Sequence, residues 1–370
     1  MSPHPRGHVP GSDAIVPERS PIFVIGTGRS GTTLLRMMLC AHPRIYLTHE
    51  ASFYVWESVF PWKRGAEAFL RWYAHSFSFR WLRVAAEPVL QGLSRPLTRE
   101  HISDLYTAVM RAKAAEHGKV RFGDKTPSHA GNLPRLFADY PDARVIRIVR
   151  DPRGMLRSLS RMPWGTRSIV AGSMLCGTER RQVAPFRDRI LEIRLEDLLE
   201  APRETMEQVL GHVGEPWSDQ VLDHAAHLPV GDDLPPVPWF QSAATKLGPP
   251  VKRWHDYDAR EIRLLEYLNR KTMERFGFPP SELAREPGRL SVFLRWVTDL
   301  PEVVRFLYYF ARVAWGSRNL ERFGDLPARA PFRKLNPSAW ALYPGFEMPL
   351  PPPLLPGWKE AFEADAQHPG

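Results

Sequence analysis

Short runs of apolar, mostly branched residues recur along the chain. They alternate with stretches in which apolar positions return every three or four residues. The runs are Ile22–Ile25, Arg44–Thr48, Lys119–Gly123, Ala143–Val149 and Arg189–Leu195. Their length and β-branched content predict strands, and the stretches between them predict helices. Pro202–Val213 reads as a helix with proline in its first turn, and Arg260–Arg275 as another, closed by Gly277 and Pro279-Pro280. Strand and helix in alternation predict an α/β protein with a central parallel sheet flanked by helices.

The same pattern divides the chain. Residues 1–20 are rich in Pro, Gly and Ser without periodicity and read as a disordered tail. Residues 21–280 carry the strands and helices of one domain. Within it, residues 51–118 form a helical insertion whose first part is dense in aromatics, from Phe53, Tyr54 and Trp56 to Phe79 and Trp81. These rings either fill a helical core or wall a ligand pocket. Residues 281–370 form a C-terminal extension, helical at first and proline-rich and irregular later. Its stretch Ser291–Trp315 is amphipathic, with Phe293, Leu294, Val297, Val303, Val304, Phe306, Leu307, Tyr309 and Phe310 among Arg295, Arg305 and Arg312. Packing against the main domain is favoured for it over peripheral contact with a membrane.

Composition narrows the function. With 370 residues and 43% hydrophobic content, the chain supports a normal core. The net charge of +9 suits an anionic ligand, a nucleic acid or a membrane surface. The arginines are scattered and form no basic block, which argues against nucleic acid. The two cysteines, Cys40 and Cys176, define neither a metal site nor a disulfide framework. The N-terminus has no apolar signal region, and no run reaches the ~18 apolar residues of a membrane span. A cytoplasmic enzyme is expected.

The chemistry is written at the carboxyl ends of the strands, where open parallel sheets bind ligands. The first strand leads into Gly26-Thr-Gly-Arg-Ser-Gly31 and then Thr32-Thr33, followed by an apolar helix. This is G-x-x-x-x-G in the strand–loop–helix setting of a phosphate cradle, so a P-loop-like three-layer fold is predicted. Gly28, Arg29, Ser30, Gly31, Thr32 and Thr33 are the candidate ligands. The lysine that a nucleotide hydrolase places after the second glycine is missing, and Arg29 is the only cation in the loop. The fourth strand ends in Arg150-Asp-Pro-Arg153. Asp151 suits a helix cap and Pro152 its first turn, while Arg150 with Ser158 makes a clamp for a phosphate. The second strand is followed by His49-Glu50 and the third by Asp124-Lys125. Beside a phosphate cradle, Glu50 is a poor anion ligand and a good proton acceptor, and Lys125 can neutralise charge on a leaving oxygen. His49 ranks below Glu50, because in extended backbone its side chain faces the other way.

These motifs resemble a family. GTGRSGTTLL resembles the 5′-phosphosulfate loop of sulfotransferases that use 3′-phosphoadenosine 5′-phosphosulfate (PAPS), and VIRIVRDPRGMLRS their 3′-phosphate motif. AHPRIYLTHEASFY resembles the segment carrying the catalytic Glu in the tyrosylprotein and heparan-sulfate branches, and GDKTP the segment supplying a catalytic Lys in the tyrosylprotein branch. The resemblance runs from about Pro21 to Pro279. It implies PAPS as co-substrate, no metal, Glu50 as base, and Lys125 and Arg29 at the leaving oxygen. It further implies residues 28–33 on the phosphosulfate, and Arg150 and Ser158 on the 3′-phosphate. The acceptor it implies bears a hydroxyl, on a small molecule, a glycan or a lipid. The Arg-Lys-Gly segment of the cytosolic branch has no match; Lys246 and Lys252 are the nearest basic residues. The rival readings are a P-loop small-molecule kinase, disfavoured by the missing lysine, and a non-catalytic nucleotide-binding protein, disfavoured by the intact set of site residues.

Overall fold

A computed structural model of the chain describes residues 20–93, 96–229, 234–235, 237–241, 254, 257–283, 287–317 and 356–367. Lys246, Lys252, residues 1–19 of the N-terminal tail and the proline-rich run at 349–355 lie outside the described residues, as do the side chains of Phe306, Tyr309, Phe310 and Arg312.

Five strands, β1 (Ile22–Ile25), β2 (Ile45–His49), β3 (Arg121–Lys125), β4 (Arg144–Val149) and β5 (Ile190–Arg194), form one sheet in the order β2-β3-β1-β4-β5. Every pairing is parallel. All are the runs predicted from the sequence. The largest difference is at β3, which continues through Lys125 although its apolar pattern stops earlier. β3 is hydrogen-bonded on both sides, with Val24 and His49 both opposite Lys125, so the ladder carries Asp124 and Lys125 with it.

The helices before β3 are α1 (Thr32–Ala41), α2 (Phe53–Val59), α3 (Ala66–Ala74), α4 (Phe77–Leu82), α5 (Ala86–Gln91) and α6 (Ile102–Glu116). Then follow α7 (Leu133–Asp139), α8 (Pro152–Ser160), α9 (Ile169–Val183), α10 (Leu195–Glu200), α11 (Pro202–Val213), α12 (His224–His227), α13 (Pro238–Gln241), α14 (Ala259–Phe276), α15 (Arg289–Ser317) and α16 (Pro356–Gln367). They flank the sheet, as the predicted α/β class requires. β1 lies at its centre with β3 on one side and β4 on the other. The chain therefore leaves β1 where the connections diverge, and open parallel sheets hold their ligands in the crevice outside the carboxyl ends of the strands at such a point.

The aromatics of α2–α4 belong to the core. Phe53, Tyr54, Trp56, Phe60, Phe69, Trp72, Tyr73 and Phe79 are buried. They meet edge to face, Phe53 with Tyr73 at 5.3 Å between centroids and Trp56 with Trp72 at 5.2 Å. Each such ring is worth about 1.5–3 kcal/mol of burial. Of the two readings of this segment, core packing is the one observed. α16 returns to the same cluster. Its Trp358 packs on Phe79 at 5.1 Å and donates its Nε1–H to the Val84 carbonyl at 2.9 Å, so the ring is buried with its polar tip satisfied.

α14 starts with a reciprocal cap between Asp258 and Glu261 and ends at Gly277, whose φ of 63° is left-handed. α15 docks on α9 along one stripe. Val303 packs on Val170 and Ala171, and Asp299 accepts a 2.5 Å hydrogen bond from the Ser168 hydroxyl, the N-cap of α9. The expected packing of this helix on the main domain holds for that stripe alone. No helix among the described residues is long and apolar enough to cross a membrane.

Candidate active site

The glycine loop turns tightly between β1 and α1, with the Ser30 N–H donating to the Thr27 carbonyl at 3.1 Å. Gly31 is the N-cap of α1 at φ 94°, and a Cβ there would lie 2.6 Å from Leu195 Cδ1, so this position is closed to other residues. No side chain caps α1 and its first turn holds no acid. Its leading N–H groups and their positive potential are therefore directed at whatever occupies the crevice. Ser30 and Thr32 are buried, while Gly28, Arg29 and Thr33 are half-buried.

A buried ionic network braces the loop from behind. The Thr27 hydroxyl donates to Glu179 at 3.0 Å, and Arg147 holds Glu179 at 2.6 Å and Glu192 at 2.6 Å. Arg275 pairs with Glu192 from the outside. This explains an arginine in the middle of the apolar strand β4: both of its carboxylate partners are supplied, which is what a buried charge requires.

The predicted clamp residues converge. Arg29 Nε–H donates to Ser158 Oγ at 3.1 Å, and Arg150 Nη1–H donates to the Arg29 carbonyl at 3.2 Å. Arg29 itself holds a left-handed φ of 73°. Gly154 makes room for Arg150, since a Cβ there would sit 3.2 Å from the guanidinium Nε. Arg153 is differently engaged. It is buried and bound to Asp151 at 2.7 Å and Glu266 at 2.7 Å. Asp151 accepts from the Arg153 backbone N–H at 2.9 Å and caps α8, as the Asp-Pro pair predicts.

Glu50 and Lys125 meet at the ends of β2 and β3, with Lys125 Nζ 2.6 Å from Glu50 Oε1. The lysine side chain is 0% exposed and the glutamate 39%. The pair thus has one sealed member and one open to the crevice. Burial holds the Lys125 pKa below the ordinary lysine value, with the Glu50 charge opposing that shift. Glu50 and Ser52 both leave the strand in left-handed backbone, at φ 51° and 54°. Such conformations cost about 1–3 kcal/mol each in a non-glycine residue, so something must hold them. Three hydrogen bonds do. The Glu50 N–H donates to the Lys125 carbonyl at 2.8 Å, the Ala51 N–H to Asp124 Oδ1 at 3.2 Å, and the Ser52 N–H to Thr126 Oγ1 at 3.0 Å. The Thr126 hydroxyl in turn donates to Asp124 at 2.9 Å. Burial raises the Asp124 carboxyl to about 7, against the pull of the Thr126 and Ala51 hydrogen bonds.

His49 departs from the expectation that it faces away from Glu50. Its Nε2 lies 3.8 Å from Glu50 Oε1, because the left-handed turn at Glu50 breaks the strand's alternation. It is fully buried, and burial, then Lys125 and Arg36, drive its pKa well below the ordinary imidazole value, so it is neutral. Its ring meets Phe240 edge to face at 4.3 Å, and Lys125 Nζ lies 5.4 Å from the same ring. Trp164 and Trp239 pack with Phe240, and Trp164 also lies against Gly28. Among the described residues, α13 and Trp164 supply apolar side chains beside the Glu50–Lys125 pair. The polar neighbours in GDKTP hinted at Asp124 and Thr126. Nothing in the local sequence of Phe240 pointed to the site.

The arrangement so described brings the glycine loop, the Arg29–Ser158 and Arg150 contacts and the Glu50–Lys125 pair to the carboxyl ends of the strands. The profile of the sulfotransferase family matches residues 21–219, just over half of the chain, and covers the glycine loop, Glu50, Lys125, Arg150 and Ser158. The chain belongs to the sulfotransferase family. It is 25% identical over 226 residues to a protein-tyrosine sulfotransferase of Drosophila melanogaster, covering 58% of this chain and 42% of that protein. It is 26% identical over 218 residues to protein-tyrosine sulfotransferase 1 of Danio rerio, covering 55% of this chain and 55% of that protein. The chain thus spans about half the length of these relatives. Among solved structures it is similar to the sulfotransferase domain of a Synechococcus olefin synthase, with a TM-score of 0.42 at 18% identity over 76% of this chain and 95% of that one. The fold assignment rests on the sheet order and register described above.

Proposed function

We propose that this sulfotransferase moves the sulfuryl group of PAPS to the hydroxyl of an acceptor, with Glu50 as general base. The observation that carries this reading is the sealed Lys125 bound to the open Glu50 at 2.6 Å, beside a glycine loop. The loop amides of residues 28–33, with Ser30, Thr32 and Thr33, hold the 5′-phosphosulfate. Arg150 and Ser158 hold the 3′-phosphate. Arg29 bridges the two halves, since its backbone belongs to the loop and its guanidinium reaches Ser158.

Sulfuryl transfer resembles phosphoryl transfer, in line and through a loose transition state, so position and charge supply most of the catalysis. The acceptor oxygen forms a bond to sulfur as the bond from sulfur to the bridging phosphate oxygen breaks. The acceptor proton passes to a Glu50 carboxylate oxygen. Charge grows on the bridging oxygen, and the Lys125 ammonium and Arg29 stabilise it. Asp124 and Thr126 take no part in bond changes. They hold the turn that aims Glu50 at the crevice.

The acceptor carries its hydroxyl on a group that suits the wall of Phe240 and neutral His49, which favours an apolar or aromatic alcohol. The test is incubation of the protein with sulfur-labelled PAPS, without added magnesium, and a panel of phenols, tyrosine peptides, lipid alcohols and glycans. Label on an acceptor hydroxyl is expected. Transfer from terminally labelled ATP with magnesium in its place would return the protein to the kinases.

A further inference from the structure

Among the described residues, the large apolar side chains left in solvent concentrate on one element. Leu290, Phe293, Val297, Leu300, Val304 and Leu307 follow one another at intervals of three and four along α15, and each is at least half exposed. Leu294 and Tyr308 extend this face on one flank and Trp296 on the other. At 100° per residue the exposed apolar arc spans roughly 160° of the helix. The stripe that borders this arc on the Trp296 side carries Asp299 and Val303, which fasten α15 to α9. The helix is thus anchored to the body of the protein and turns its apolar side outward. It also touches α2, which begins three residues after Glu50.

Three observations choose between occupants. The first is charge. The stretch has four arginines, at 289, 295, 305 and 312, against Asp299 and Glu302, in a chain of net charge +9. Both acids are engaged, Asp299 by Arg295 at 3.0 Å and Glu302 by Arg305. A second copy would bring the same positive charge against this helix, whereas an anionic surface complements it. The second is width. A helix–helix seam needs a narrow stripe, and this face is broad enough to lie on a plane. The third is Pro301, inside α15, which removes a helical hydrogen bond and bends the straight seam that a paired helix requires.

We infer that the outward face of α15 docks the protein on an anionic lipid bilayer, sinking its apolar side chains to the depth of the headgroups. Trp296 and Tyr308 at the margins suit that interface, where amphipathic rings gather.

The experiment is flotation of the full chain with vesicles of phosphatidylcholine, alone or mixed with phosphatidylglycerol, with no nucleotide present. Its outcome is thereby independent of the donor and of the base. The wild type is expected to float with the mixed vesicles and to bind the neutral ones at least about tenfold more weakly. The triple variant Phe293→Asp, Leu300→Asp, Val304→Asp is expected to lose vesicle binding by about a hundredfold or more. All three positions are exposed, so its circular dichroism spectrum and melting temperature should match the wild type. A second variant, Leu290→Ser with Leu307→Ser, gives a milder loss if the triple variant proves unstable. Equal binding to both vesicle types, or unchanged binding by the folded variants, overturns the inference. So does a wild-type dimer in sedimentation that the triple variant converts to monomer without either floating, which would assign the face to a second copy.

Discussion

The glycine loop draws its backbone N–H groups and hydroxyls from consecutive residues, Gly26 to Thr33. Glu50 and Lys125 stand 75 residues apart in sequence and 2.6 Å apart in space. The cradle needs a tight turn and a helix start, both local properties. The Glu50–Lys125 pair needs the parallel register that sets His49 opposite Lys125, and then a backbone turn that no extended strand provides. The first region carries one left-handed residue other than glycine, Arg29, against two in the second, Glu50 and Ser52. The second is held in a costly conformation by Asp124 and Thr126, and is the more easily disturbed.

That contrast makes separable predictions. Glu50→Gln should lower kcat by about 10²–10⁴-fold and leave nucleotide affinity unchanged, because a general base contributes about that much and takes no part in holding the nucleotide. Steady-state kinetics beside nucleotide titration read both quantities, and a parallel loss of affinity would mean the two regions are not separate.

Arg150→Ala should do the reverse. It should weaken binding of a 3′-phosphate nucleotide by about 10–150-fold, the worth of roughly 1.5–3 kcal/mol for hydrogen bonds to a charged group, with a smaller effect on kcat at saturation. A nucleotide dissociation constant equal to wild type would remove Arg150 from the clamp.

Asp124→Asn should cost about tenfold in kcat, since the amide keeps an acceptor for Ala51 N–H but no longer receives both hydrogen bonds as a carboxylate does. It should also change the pH dependence of stability. The Asp124 carboxyl titrates near 7 in the folded chain and near 4 when unfolded, so its favourable contribution is complete below about 4 and is lost as pH rises to about 7. Melting temperature against pH should fall more steeply for wild type than for Asp124→Asn across that window, and parallel curves would contradict the assignment.

The smallest effect belongs to Gly154→Ala. Its Cβ meets only the Arg150 guanidinium, at 3.2 Å, so the fold should survive and affinity for the 3′-phosphate nucleotide should drop by a few-fold. Binding equal to wild type in calorimetry would show that Arg150 has room to shift without cost.

The same contrast explains what was legible in advance. Strands, the strand–loop–helix run of the glycine loop and the Asp151 cap are patterns within one element or between adjacent ones, and the structure has each of them there, whereas Ser158 meets Arg29 and Arg150 meets the Arg29 carbonyl. Glu50 and Lys125 were nameable as residues following strands, but their direct pairing required the sheet order. His49 was misplaced because strand alternation fails at a left-handed residue. Phe240 was invisible, because it reaches Lys125 from a short helix more than a hundred residues downstream. The aromatic insertion, conspicuous in sequence, is core, since ring density alone does not tell an inward face from a pocket wall.

The most direct test of the account is calorimetric titration of the protein with 3′,5′-adenosine diphosphate without magnesium, and with ATP in its presence and absence. Tight binding of the 3′-phosphate nucleotide, weak binding of ATP and loss of that preference in Arg150→Ala are expected. Tighter binding of ATP with magnesium would contradict it.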